Sequence, residues 1–284
     1  MKIIDNQTAE ILSLGEATLE EGKKIVEIVC RTCYKSLNLI TDDSKEKFVD
    51  RMIKSEHLST SEHLSTLEHC TIYLKIPRSN IDDALFFSYN KYSETRNDGN
   101  YCYVTTNYRV IIENEMEDVL KYQCAYEPVN HIRRITIRMI TNRQIANEFE
   151  RHRVFSFNQE SSHYYNYGKD KFDNELKFLK PTFGNFLISN EIYDEWVKQM
   201  ERAEHSYLKL CKMGCNAQEA STVLPNSTAT ESVMSGTTKD WERFFVLYVK
   251  GYTSKPHQHP LAYDLANKIY MLLKEQSNRI YPEY

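Results

Sequence analysis

The spacing of apolar residues predicts helices over much of the chain and strands over a few short stretches. A capping box at Thr18-Leu19-Glu20-Glu21, followed by Ile25, Val26, Ile28 and Val29 on one face, predicts a helix over 19–35. Phe48, Met52 and Ile53 give a second over 45–54, and 81–91 suits a third. Alternation over 70–76, closed by Pro77, predicts a strand, and Val104, Val110, Ile111 and Ile112 mark 103–113 as a second strand region. Residues 132–140 have β-branched character and 141–150 are more helical, which leaves the polar run after residue 150 on a loop or strand leaving a helix. Beyond it the pattern is mostly helical: 191–213 stopped by Gly214, a short helix capped by Asn216 and ending at Val223-Leu224-Pro225, 238–250 ending at Gly251, and 261–276. A perfect tandem repeat, Ser55-Glu56-His57-Leu58-Ser59-Thr60 and Ser61-Glu62-His63-Leu64-Ser65-Thr66, matches neither helical nor strand periodicity and reads as a local duplication in a turn.

With no Gly/Pro/Ser-rich linker and only 8 Gly and 7 Pro, residues 1–284 read as a single α+β domain, helices packed around a central, mostly antiparallel sheet. A net charge of −4 gives no electrostatic footprint for nucleic acid or an anionic membrane. The start lacks an apolar signal core and no run of about 18 apolar residues occurs, so a soluble, cytoplasmic protein is expected. Seven scattered cysteines suit reduced thiols, and Cys30-Arg31-Thr32-Cys33, inside a helical pattern without a second such pair, reads as structural rather than as a zinc or redox site.

Chemistry concentrates in one run. Arg151-His152-Arg153 is followed by Asn158-Gln159-Glu160-Ser161-Ser162-His163-Tyr164, a density of cations, amides and hydroxyls that a bound anion would explain. More ordinary readings are open at this point: surface salt bridges for Arg151 and Arg153, a core contact for His152, a turn for Ser161.

Arg-His-Arg, a seven-residue gap and Ser, with Asn-Gln-Glu-Ser inside, resembles the signature of the flavin-dependent thymidylate synthases. Arg31-Thr32-Cys33-Tyr34, His63-Leu64-Ser65-Thr66-Leu67-Glu68-His69, Val223-Leu224-Pro225-Asn226, Trp241-Glu242-Arg243-Phe244-Phe245 and His259-Pro260 fit the same family in the same order. The resemblance implies a homotetramer holding FAD at subunit interfaces, with NADPH and methylenetetrahydrofolate as co-substrates in the reductive methylation of dUMP to dTMP, and no metal. It implies FAD contacts from His69, Thr71, Arg151, His152 and Arg153, with Gln159 beside them. Thr237, Lys239, Arg243 and His259 would extend that surface. Glu148, Gln159, Glu160, Ser161, Ser162, His163, Ser221 and Tyr248 fall at positions implied for the nucleotide. Arg151 and Ser161 would be the catalytic pair, Ser161 as a hydrogen-bonding group rather than a nucleophile.

Departures cluster on the nucleotide side. His163, Ser221 (or Thr222) and Tyr248 stand where the family usually carries arginines, and Thr237 and Lys239 replace its Asn and Arg. Three lost charged hydrogen bonds would cost about 4–9 kcal/mol uncompensated. Lys250, Lys255, His257 and His259, in a segment longer than its family equivalent, and Lys169 and Lys171 could restore charge. The alternative is a homologue that keeps FAD but acts on a different pyrimidine nucleotide, or binds flavin or nucleotide without catalysis.

Overall fold

A computed structural model describes residues 1–15, 18–54, 64–161, 175–182, 190–250 and 259–276. The first copy of the repeat and Ser61-Glu62-His63, Ser162, His163, Lys169, Lys171, Gly251, Lys255 and His257 lie outside the described residues.

The longest pairing joins β6 (Arg134–Asn142) to β9 (Ala229–Thr237), antiparallel from Arg134↔Thr237 to Asn142↔Ala229. β2 (Thr8–Ser13) adds to the free edge of β6 and β7 (Ser156–Gln159) to that of β9, giving the order β2-β6-β9-β7. Strand alternation makes this sheet two-sided. Ile135, Ile137, Met139 and Met234 point to an apolar core with the helices α5 (Arg143–Phe149), α8 (Thr238–Phe245) and α9 (Pro260–Glu275). Trp241 is fully buried there and donates from its indole nitrogen to the Ile135 carbonyl at 3.3 Å. The opposite face carries Arg134, Thr136, Val233 and Ser235, against which α1 (Leu19–Cys33) packs.

A second antiparallel sheet, β3 (Thr71–Pro77), β5 (Tyr101–Asn107) and β4 (Glu94–Asn97) in the order β3-β5-β4, shares α1 with α2 (Ser44–Lys54) and α3 (Ile81–Tyr89). Asp98-Gly99 turns β4 into β5: Gly99 sits at φ +97°, and Asp98 accepts from the amides of Asn100 and Tyr101. β1 (Lys2–Ile4) and β8 (Lys177–Leu179) form a small parallel pair near α6 (Asn190–Lys212) and α7 (Ala217–Ser221). The mixed helical and mostly antiparallel character is as expected, with the strands among the described residues divided between two antiparallel sheets and the small parallel pair.

Two sequence expectations fail locally. Val110, Ile111 and Ile112 lie in a helix, α4 (Tyr108–Glu113), because the Asn107 side chain accepts from the Val110 amide at 3.2 Å and caps it. The later half also contains β9, whose buried Thr230, Ser232 and Ser235 bond to neighbours and so lack an apolar signature. The helix expected over 238–250 is α-helical to Phe245 and continues as a π turn over Val246–Lys250.

α1 can reach the site only because Gly22 lets it lie against Cys70, where an added Cβ would meet the sulfur at 2.4 Å. Ala normally stabilises a helix interior by about 1 kcal/mol over Gly. Here Gly22→Ala is expected to destabilise by about 1–3 kcal/mol in urea unfolding. The cost should shrink in a Cys70→Ala background; a stabilising Gly22→Ala would contradict this packing.

Candidate functional site

β7 places its polar residues on alternate faces. Ser156, Asn158 and Glu160 turn toward α1 and the 3₁₀ turn Leu64–His69, while Phe157 and Gln159 turn the other way, Gln159 donating to Thr230 Oγ1 at 3.2 Å. Gln159 and Glu160 are therefore neighbours in sequence but separated by the sheet.

The α1-facing side holds a buried polar chain. His69 is 1% exposed, with Nδ1 2.6 Å from Ser235 Oγ, and Ser235 Oγ is in turn 2.6 Å from Thr136 Oγ1. Its Nε2 meets the Asn158 side chain at 2.9 Å. The amide is best satisfied with its nitrogen toward His69 and toward the carbonyls of Ser65 (3.2 Å) and Phe157 (3.3 Å), and its oxygen accepting from Ser65 Oγ at 2.9 Å. Beside it Arg134, also buried, donates to the Glu68 carbonyl at 2.9 Å and to Ser156 Oγ at 3.3 Å. Burial, reinforced by the Arg134 charge, lowers the His69 pKa to about 3, so the ring is neutral.

At the end of β7, Glu160 is 2% exposed and paired with Lys35 at 3.0 Å. Its carboxylate accepts from the Glu231 amide at 3.3 Å, and burial raises the pKa of Glu231. Ser161 donates its amide to the Cys33 carbonyl at 3.3 Å, joining the motif to the end of α1. Burial raises the thiol pKa values of Cys30 to about 12 and of Cys33 to about 11, so both are protonated thiols within α1.

Glu148, His152 and Tyr248 form a separate group under the apolar face. His152 Nε2 lies 3.2 Å from the Tyr248 hydroxyl, and its ring packs edge-on against Phe244. Burial lowers the His152 pKa; burial and Glu148 raise that of Tyr248. The core-contact reading thus describes His152. The salt-bridge reading of Arg151 and Arg153 finds no partner among the described residues: both are exposed in the turn after α5, and there neither guanidinium is held by an ion pair or a side-chain hydrogen bond.

Other expected positions serve the fold in this structure. Thr237 caps α8 in a capping box with Asp240, and His259 Nδ1 accepts from Leu261 N at the start of α9. Ser221 Oγ donates to the Gln218 carbonyl at 2.8 Å. Thr71 is buried at the start of β3, and Arg243 is exposed on α8. Lys239, 3.7 Å from Glu94, lines an open cavity of about 390 Å³ with Arg96, Arg133 and Tyr126. Asn158, Ser235, Thr136 and Arg134 were not singled out from sequence as site residues; strand alternation through the motif was the signal that would have separated Asn158 from Gln159.

The profile of the family described as thymidylate synthase complementing protein matches residues 87–276, well over half of the chain. The chain belongs to that family. The matched span includes the motif of β7 but not His69 or the end of α1. Two solved structures resemble the fold, a UMP/dUMP methylase PolB from Streptomyces cacaoi bound with 5-Br dUMP and the same protein bound with 5-Br UMP. Each is 14% identical and covers 97% of this chain, with 93% and 92% of the other chain and TM-scores of 0.46 and 0.45. No curated protein matches the chain in sequence. No helix among the described residues is long and apolar enough to cross a membrane.

A histidine held neutral in the fold but titrating near 6.5 when unfolded binds a proton on unfolding in acid. Its contribution to stability is complete above about pH 6.5 and is lost as pH falls from there toward 3, by up to about 1.4 kcal/mol per pH unit. Between pH 7.5 and 5.5, wild-type unfolding free energy should fall by about 1 kcal/mol more than that of His69→Gln. Equal losses would show that His69 is not buried neutral.

Proposed function

We propose that this protein is a flavin-dependent methylase of a pyrimidine nucleotide, using FAD, NADPH and methylenetetrahydrofolate, with dUMP the first substrate to test. Membership of the thymidylate synthase complementing family is the observation that carries the reading. The exposed Arg151 and Arg153 beside β7, without an ion-pair partner among the described residues, support it, since two guanidiniums carried by one turn suit a pyrophosphate. When bound, the flavin supplies the redox chemistry that converts a transferred methylene to a methyl group.

The chain's own residues then bind and orient. Arg151 and Arg153 would hold the cofactor's phosphates, with Thr71, Lys239 and Arg243 as further contacts. Ser161, tied to Cys33, would present a hydroxyl to the nucleotide, with Glu160, buried and fixed by Lys35, holding the end of β7 behind it. The assembly would be a homotetramer in the cytoplasm.

A second reading, in which the nucleotide is not dUMP, is favoured by Tyr248. It is 4% exposed and packs on Phe149 and Phe244, so the family's arginine there is replaced by a core residue rather than by another cation. Ser221, bonded within its own helix, carries no charge to compensate.

Purified protein should show the absorbance of oxidised flavin, and with dioxygen excluded its reduced form should be reoxidised only with nucleotide and methylenetetrahydrofolate present. Offering dUMP, UMP and dCMP in parallel separates the two readings: dTMP supports the first, a methylated alternative the second, and no flavin contradicts both. Arg151→Ala and Arg153→Ala should each weaken FAD binding about tenfold, measured by flavin fluorescence.

A further inference from the structure

The hydrogen-bond directions in the buried chain are determined by its ends. With the Asn158 nitrogen donating, His69 Nε2 must accept, so the ring proton sits on Nδ1 and is donated to Ser235 Oγ at 2.6 Å. Ser235 can then donate to Thr136 Oγ1 at 2.6 Å. Reversing the Asn158 amide would turn its oxygen toward the carbonyls of Ser65 and Phe157, facing acceptor against acceptor. Both ring nitrogens of His69 are thereby used inside the protein, and at 1% exposure the ring offers no edge to a ligand.

Asn158 is half-buried and stands where three segments meet. Its amide bonds the 3₁₀ turn at Ser65 and its own strand at Phe157, and β7 itself packs against α1. Three residues further on, the Ser161 amide donates to the Cys33 carbonyl. The orientation of one amide therefore sets how the end of β7 docks on α1.

We propose that His69 is a positioning residue: it touches no ligand, but locks the Asn158 amide in one orientation and so docks β7 on the last turn of α1, fixing where Ser161 is presented. The functional consequence rests on the nucleotide-methylase reading, while the docking itself does not. It assigns His69 a different role from the cofactor contact that family resemblance implies.

The test uses the full chain with ¹⁵N-labelled histidine and amide exchange at Ser161. Wild-type His69 should show the neutral Nδ1–H tautomer with no titration between about pH 8 and 5. In Asn158→Asp, a carboxylate that can only accept should convert the ring to the doubly protonated form; an unchanged ring signal would break the link between the two residues. His69→Gln, whose amide can accept from Asn158 and donate to Ser235, should keep Ser161 protected, whereas His69→Leu should speed exchange there about tenfold or more. Equal Ser161 protection in both variants, or an Nε2–H wild-type tautomer, would overturn the proposal. If dUMP binds the wild type, its affinity should stay within about threefold in His69→Gln and drop about tenfold in His69→Leu, with kcat at saturation retained. If neither flavin nor dUMP binds, the methylase reading fails, while tautomer and exchange still decide the docking.

Discussion

A buried polar seam between two sheets is the constraint on which the rest of the molecule depends. The β6–β9 ribbon turns its apolar side to α8 and α9, but its other side meets α1 and the 3₁₀ turn before β3 through Thr136, Ser235, His69 and Asn158. Unpaired, such groups would each cost about 1–3 kcal/mol. Paired in one continuous chain, they admit one register of β7 against its neighbours. Gly22, by letting α1 lie on Cys70, and Arg134, by tying the Glu68 carbonyl to Ser156, close the seam from either side.

That arrangement divides the motif between tasks. Ser156 and Asn158 hold the seam, Glu160 and Ser161 join β7 to α1, and Arg151 and Arg153 remain exposed. His152, between the two arginines in sequence, turns instead into the aromatic core with Tyr248. A run that looks like one binding strip is thus in large part a fold joint, with exposed arginines at its start.

Much of this was legible in the chain. Thr18 with Glu21 and Asn216 with Glu219 gave true capping boxes, and the start of α9 at Pro260 and the strand after His69 were visible from pattern. Long helices announce themselves through local periodicity, which requires no knowledge of partners. β9 did not, because Thr230, Ser232 and Ser235 interrupt its buried apolar positions Ala229, Val233 and Met234, and their bonds come from β6, β7 and a turn more than 160 residues away, as in the pair of His69 with Ser235. The helix at Tyr108 was misread for the reverse reason: β-branched residues suggested a strand, and one Asn cap overrode them. The family was readable from motifs, and the profile match over 87–276 bears it out. The grouping of the motif's side chains was not, since alternation along a strand appears only once the strand is known.

On the proposed function, ligand chemistry gathers where β7 leaves the Arg151–Arg153 turn and meets α1. Hydrogen–deuterium exchange of the whole protein, with and without FAD and dUMP, tests it most directly. New protection is expected to concentrate over 149–161 and at the end of α1. Protection confined to other segments, with 149–161 unchanged on saturation, would contradict it.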